Sequence, residues 1–472
     1  MGACHEPGRH APGRAALPLG SAAPRRSLGP ARYLAPRVRP GRPEYSLRVS
    51  VPQPPVALYV HLPFCVARCP YCDFVVYAGG DARGPRARAG QLYEAVRREL
   101  ELRADALDER FGRPGDAGSR EPLRSVYFGG GTPSLVPGEW LKRLMATVRM
   151  RFGIASHAEV TLEANPGPDE RGDAAAFAGA GVTRISFGAQ SMDPGELRRI
   201  GRRHSPEDVA AAVAEARAAG IGSINLDLLY DIPGQSVAAW EETLRAALAL
   251  APDHLSLYAL TLDDPDEEGI TGVGGDHLPT PPGARRWRDR ARLDQDEDRA
   301  ADQYRLATDL LGAEGWRGYE ISNWARPGHE SRHNLVYWQR DPYEAAGPGA
   351  HAFDGRTRRW NAAAMEPYLA ALLPDRAEGG RAEEGRGGRP GLPPGGGEVP
   401  DPQAAAAEEM ILALRLDRGV AEAAASEPPL VGVRSWAEEA GLLESVLIDG
   451  ESRVRLTTQG RLLSNELFSR LV

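Results

Sequence analysis

Three cysteines, Cys65, Cys69 and Cys72, fall within eight residues of one another in the stretch YVHLPFCVARCPYCDFVVY. The only other cysteine of the chain is Cys4. Four cysteines in 472 residues are too few for a disulfide framework, and a tight trio of thiols points to metal. A structural zinc site uses four protein ligands, commonly as two separated pairs. C-x3-C-x2-C supplies three and leaves a fourth position open. A cubane iron–sulfur cluster held by three thiolates has such a position, one iron free for an exogenous ligand. His61 would complete a zinc site instead, although its place on a strand suits packing or hydrogen bonding.

The trio needs a scaffold, and the chain supplies a repeating one. From Ala57 onward a short apolar run, a polar or glycine-rich turn and an amphipathic helix recur. The runs are ALYVHL, SVYFGGG, EVTLEANP, RISFGAQS, SINLDLLYDIP and HLSLYALTL. Between them, stretches such as LYEAVRRELELRA and PEDVAAAVAEARAA carry helical period. Six strand–helix units make a parallel sheet with right-handed crossovers: an α/β fold, an open partial (β/α)6 barrel, with a doubly wound sheet as the alternative. Ligands in such folds gather at the strand C-terminal ends. The cysteines follow the first strand, Gly129–Thr132 the second, Glu163 and Asn165 the third and Gln190 the fourth. Asp227 lies within the fifth, where an unpaired buried carboxylate would be costly.

Composition narrows the function classes. The hydrophobic share of 42% and charged share of 26% are those of a globular protein, and no run approaches the ~20 apolar residues of a membrane helix. A formal net charge of -8 argues against nucleic acid as a partner. Residues 1–56 read as a basic tail, disordered, whose arginine bias is shared by the whole chain. Residues 57–262 are the barrel and 263–300 an acidic loop insertion. An extension over 301–373 follows, and 374–401 is too poor in apolar residues to fold and reads as a linker. Residues 402–472 end in a strand-then-helix pattern that suits a winged-helix-like domain in a packing or partner role.

C-x3-C-x2-C after the first strand of a partial barrel, with Tyr71 just before the last cysteine, resembles the radical S-adenosylmethionine superfamily. YFGGGTPS is similar to that superfamily's glycine motif. The resemblance implies a [4Fe-4S] cluster on Cys65, Cys69 and Cys72, whose open iron is chelated by S-adenosylmethionine. Electron transfer into the sulfonium would then give a 5′-deoxyadenosyl radical.

Within the superfamily the chain resembles the oxygen-independent coproporphyrinogen III dehydrogenase family, and most of all its HemW branch of haem chaperones, from about Ala57 to the C-terminus. Carried over by residue, Tyr59, Tyr71, Gly130, Gly131, Thr132, Glu163, Gln190, Arg202 and Asp227 would line the S-adenosylmethionine site. Glu163 and Asp227 would accept from ribose hydroxyls or the ammonium, and Arg202 would pair with the carboxylate. The dehydrogenases extend their motif by a further cysteine, where this chain has Phe74. HNLVYW, beginning at His333, resembles the HemW motif associated with haem binding, which implies that His333 contacts haem. The implied function is cytoplasmic transfer of haem to an acceptor protein. The alternative is radical decarboxylation of coproporphyrinogen III, and a third class is a binding module with a structural cluster. Two departures stand out: Asp231 replaces a usual glycine, and LTLDDPD is unusually acidic.

Overall fold

The computed structural model describes residues 51–81, 88–262, 264–272, 274–374 and 391–472. Most of the basic tail and most of the low-complexity run lie outside the described residues.

Strand β1 (Ala57–Leu62) buries nearly every side chain, as an apolar run covered on both faces must. Two short strands, β2 (Phe64–Cys65) and β3 (Tyr77–Ala78), pair in parallel at the two ends of the cysteine loop. Helix α1 (Ala89–Phe111) precedes β4 (Leu123–Gly130), and α2 (Gly138–Phe152) precedes β5 (Ile154–Ala164). Next come α3 (Ala174–Ala180), β6 (Arg184–Gln190), α4 (Pro194–Arg199) and α5 (Pro206–Ala218). Strand β7 (Ser223–Tyr230), α6 (Val237–Ala249) and β8 (His254–Ala259) complete the series. Local sequence sets the helix starts: Asp173 caps α3, Ser236 caps α6, and Ser205 with Asp208 forms a capping box on α5.

Strands β1, β4, β5, β6, β7 and β8 pair in that order, all parallel, and the sheet does not close on itself. Leu58, Val60, Phe128, Leu162 and Leu226 form the core with Leu100, Leu144 and Trp240 of the helices. This is the open six-unit α/β architecture expected from the alternation of strand and helix.

The rest of the chain extends both ends of the sheet. After α7 (Pro282–Ala291) and α8 (Glu297–Ala313), β9 (Arg317–Gly318) and β10 (Asn323–Ala325) add antiparallel strands beyond β8. Helix α9 (Arg332–Trp338) leads to β11 (Tyr343–Ala346), which pairs in parallel with the free side of β1. Strands β12 (His351–Phe353) and β13 (Arg358–Asn361) continue antiparallel; then, after α10 (Met365–Leu372), β14 (Gly395–Glu398) forms the far edge. Helix α11 (Pro402–Arg415) opens the C-terminal part. There β15 (Val420–Ala421), β16 (Leu443–Ile448) and β17 (Glu451–Leu456) make an antiparallel sheet. Its core is separate, built on Leu414, Leu430, Val454 and Leu467.

Three segments differ from expectation. Residues 51–56 are held to the sheet, Gln53 N–H donating to Asp354 O and Val56 N–H to Pro342 O. The insertion over 263–300 is partly helical, because Ala284, Arg288 and Ala291 recur on one face of α7 and are buried. The end of the expected linker is a strand. A Cβ at Gly396 would meet the Trp360 ring at 2.3 Å, so only glycine lets β14 lie flat on that indole.

Candidate functional site

The three thiols are unpaired and lie on the loop after β1, with Cys72 N–H donating to Cys69 O at 3.2 Å. Burial pushes the Cys65 thiol up to about 11 and Cys72 up to about 12. A chain of hydrogen bonds ties the loop to the strand ends. Thr132 Oγ1 donates to Cys65 Sγ at 3.4 Å and accepts from Asn165 Nδ2 at 3.1 Å. Asn165 Oδ1 accepts from Arg202 Nη2 at 2.5 Å, and Arg202 Nη1 reaches Cys69 Sγ at 3.6 Å. Thr132 and Arg202, two expected site residues, thus meet through Asn165.

From the other side, α7 clasps the loop. Arg288, 1% exposed, donates from Nε to Pro70 O at 3.1 Å and from Nη2 to Cys72 O at 3.0 Å. Trp287 lies 6.5 Å from Tyr71, ring to ring, and donates to Arg199 O. Tyr71 is half-buried against Ile200, Leu229 and Leu260.

His61 does not complete a zinc site. Its Nδ1 is 2.9 Å from Tyr59 Oη and its Nε2 2.9 Å from Val75 O, so both ring nitrogens are engaged. Among the described residues, no group of three His, Cys, Asp or Glu side chains converges as a single metal ion would need. Three thiols on one loop are the donor set that three corners of a cluster would take. The Nε of Arg202 is buried without a partner, a spare donor beside the cysteines that suits an anionic ligand.

The glycine motif is explained by packing. Gly130, at φ +120°, would put a Cβ 2.6 Å from the His61 ring, and Gly131 would put one 2.7 Å from Phe64 O. The Gly130 N–H donates to Glu163, Gly131 to Leu62 O and Thr132 to Phe64 O. The glycines therefore admit β1 and the cysteine loop, and Gly130 also faces a cleft.

Glu163 accepts from Tyr127 Oη at 2.7 Å and from Gly130 N at 3.0 Å. Burial lifts its carboxyl to about 7, and the neighbouring Asp227 charge adds to the rise. Asp227 is satisfied by Ser186 Oγ at 3.1 Å and Asn225 Nδ2 at 2.7 Å, which is how β7 accommodates a carboxylate. Gln190 ends β6 at φ +67°, a conformation costly for a non-glycine residue. A cleft of about 330 Å³ opens here, lined by Tyr59, Gly130 and Glu163 of the expected set.

His333 sits behind this cleft, not in it. It is 1% exposed, with Nδ1 2.9 Å from Ser125 Oγ and Nε2 2.8 Å from Tyr337 Oη. Its ring lies 5.0 Å from that of Tyr127, and burial holds its pKa down at about 3. Neither ring nitrogen is open to a ligand in this geometry. Trp338 packs beneath the Arg415 guanidinium, 4.4 Å from the ring centre.

Residues 59–247 match the model of the Radical SAM superfamily. The chain is 37% identical over 427 residues to the Heme chaperone HemW of Mycobacterium tuberculosis, covering 89% of this chain and 96% of that protein. The chain belongs to the HemW family. Heme chaperone HemW of Bacillus subtilis is 31% identical over 421 residues, covering 87% of this chain and 97% of that protein. Coproporphyrinogen III oxidase, HemN, from Escherichia coli shares the fold, with a TM-score of 0.67 at 21% identity over 89% of this chain and 91% of that one.

In this HemW family member Phe74 is 60% exposed at the cleft. Sequence reasoning missed Arg288 and Trp287, whose signal was the buried face of ARRWRDRAR. It also missed Asp276, His277 and His351, which line the same cleft and have no fixed spacing that would join them.

Proposed function

We propose that this chain is a haem chaperone of the cytoplasm that carries a [4Fe-4S] cluster on Cys65, Cys69 and Cys72, takes S-adenosylmethionine at the cluster, and passes haem to an acceptor protein. The observation that carries the reading is the near full-length similarity to Heme chaperone HemW proteins, together with a three-thiol loop that has Phe74 where the dehydrogenases have a further cysteine. The cluster would supply one-electron reduction of the sulfonium. This chain's own residues hold and shape the site. The Arg202 Nε is free to meet the methionine carboxylate, and Glu163, Tyr59 and Gly130 wall the adjoining cleft. Thr132 is tied to Arg202 through Asn165 and Gly131 lets the loop approach, while Tyr71, Gln190 and Asp227 are the further residues assigned to the site. No helix among the described residues is long and apolar enough to cross a membrane. The C-terminal residues 402–472, with their own core, are read as a winged-helix-like module for partner contact.

The test is anaerobic reconstitution with iron and sulfide, then separate titrations with haem and with coproporphyrinogen III in the presence of S-adenosylmethionine. A stable Soret band without porphyrinogen turnover supports the chaperone. Turnover with release of 5′-deoxyadenosine makes the chain a dehydrogenase and means that Phe74 does not exclude that chemistry.

A further inference from the structure

Reduction of the sulfonium consumes one electron for each S-adenosylmethionine cleaved. Once the three loop thiols hold a cluster, the chain has one cysteine left, Cys4, and a lone thiol is no low-potential one-electron donor. The electron must then arrive from another molecule, at the face where the cysteine loop meets solvent. Cys65 is buried, whereas Cys69 and Cys72 are partly exposed and mark that face.

Two elements frame it. Gly201, just after α4, lies against Pro70, and a Cβ there would stand 2.8 Å from the Pro70 ring. Helix α7 grips the same loop through Arg288 and sets Trp287 against Tyr71. Along these two elements Arg198, Arg203, Arg286 and Arg290 are exposed, and none has an ion-pair partner among the described residues. Two neighbouring acids are already engaged, Asp193 in capping α4 and Asp289 with Arg292 at 3.4 Å. Arg286 and Arg290 stand one turn apart on α7, which aligns them on one face. Leu293, 84% exposed, lies just past the helix end. On a chain of formal net charge -8, four unpaired arginines around one loop are a local reversal of sign.

We propose that the rim formed by the end of α4 and by α7 is the docking surface for an acidic one-electron carrier protein, which delivers an electron to the cluster on the cysteine loop. The proposal rests on the cluster reading above. In the step the carrier loses one electron and the cluster gains it, with no proton or group transferred. Unpaired arginines attract an acidic surface and speed the encounter, while Trp287 and Leu293 supply apolar contact beside them. Electron-transfer encounters bury little surface, less than about 1,200 Å², which one helix and one helix end can supply.

The experiment is stopped-flow reduction of the reconstituted full-length chain by a flavodoxin hydroquinone, an acidic flavin carrier, at low and at high salt. Bleaching of the cluster absorbance and the electron paramagnetic resonance of the reduced cluster report the electron. Dithionite, a small reductant that needs no docking surface, is run in parallel. The double variants Arg286→Glu with Arg290→Glu, and Arg198→Glu with Arg203→Glu, are compared with the native chain. The control is Arg143→Glu with Arg356→Glu, the same change of charge on α2 and on the β12–β13 turn. Each rim variant should slow reduction by the carrier about tenfold or more at low salt. The difference should shrink toward ~1 M salt, where charges more than about 3 Å apart are screened. Reduction by dithionite should stay close to native, and calorimetric titration of the apo-chain with the oxidised carrier should show the same ranking of variants. Rim variants reduced by the carrier as fast as the native chain overturn the proposal, as does equal slowing in the control or a slowing that dithionite shares in full. A native chain that takes up no cluster sinks the reading beneath it, an outcome seen before any reductant is added.

Discussion

Arg288 and Cys72 are joined by a 3.0 Å hydrogen bond, guanidinium Nη2 to backbone carbonyl, across 216 residues of sequence. The same guanidinium holds Pro70 O, so one side chain fixes two points of the cysteine loop. Replacing Arg288 with Ala removes both bonds and leaves two carbonyls to find new partners. Hydrogen bonds from a charged donor contribute about 1.5–3 kcal/mol each. The variant is expected to fold but to lose iron severalfold faster under chelator, with Arg288→Lys intermediate because a single ammonium cannot reproduce the fork. Equal iron retention in the variant and the native chain would show that α7 does not hold the loop.

The Glu163 carboxyl has a pKa of about 7 in the folded chain because of burial, against a usual value of 4.5. The folded state therefore binds this proton more tightly than the unfolded state. The stability that comes with it is full below about 4.5 and is lost as pH rises through 7. Glu163→Gln cannot ionise; its Oε1 can accept from Gly130 N–H while its Nε2 donates to Tyr127 Oη, whose hydroxyl rotates to accept. It should unfold at a higher temperature than the native apo-protein at pH 8. The gain is at most about 3 kcal/mol, reduced by water in the cleft. The gap should close near pH 5, and a pH-independent difference would contradict the assignment.

His333→Ala would strip Ser125 and Tyr337 of their buried partner and open a cavity between β4 and α9. Such a loss costs about 2–4 kcal/mol. Denaturant unfolding of the apo-chain should show it directly. A variant as stable as the native protein would mean that the histidine is kept for ligand contact alone.

Asp231 holds a left-handed backbone at φ +56° and pairs with Arg299 at the start of α8. Asp231→Gly should relieve the backbone but lose the pair, and Asp231→Ala should lose the pair and keep the strain. The alanine variant is expected to be less stable than the glycine variant by about 1 kcal/mol. Thermal melts of the two, side by side, decide this, and equal stability would place the burden on the ion pair alone.

The six parallel strands were legible because each is an apolar run between turn residues, and Asp231 was legible as a residue standing where a glycine is usual. The cysteines announced themselves by spacing. The strands from β9 to β14 were not legible, since two to four residues carry no usable periodicity and β14 is mostly glycine. Helix α7 was hidden because its buried face includes an arginine, which hydropathy scores as surface. The histidine motif was legible as a motif, yet only the fold reveals that Ser125 and Tyr337 occupy both nitrogens of His333. His351 and Asp276 lie 75 positions apart, so their pairing is a product of the fold.

The separation between the cysteine loop and its clasp also matters in time. A ribosome adding ~5–20 residues per second takes on the order of 10–40 s to travel from Cys72 to Arg288. Over that interval the thiols are already outside or leaving the exit tunnel while α7 does not yet exist. Strand β11, which pairs with the free side of β1, is made later still. A cluster carried on the three sulfurs would therefore meet an open loop if loaded during translation and, if loaded afterwards, a loop already held by Arg288.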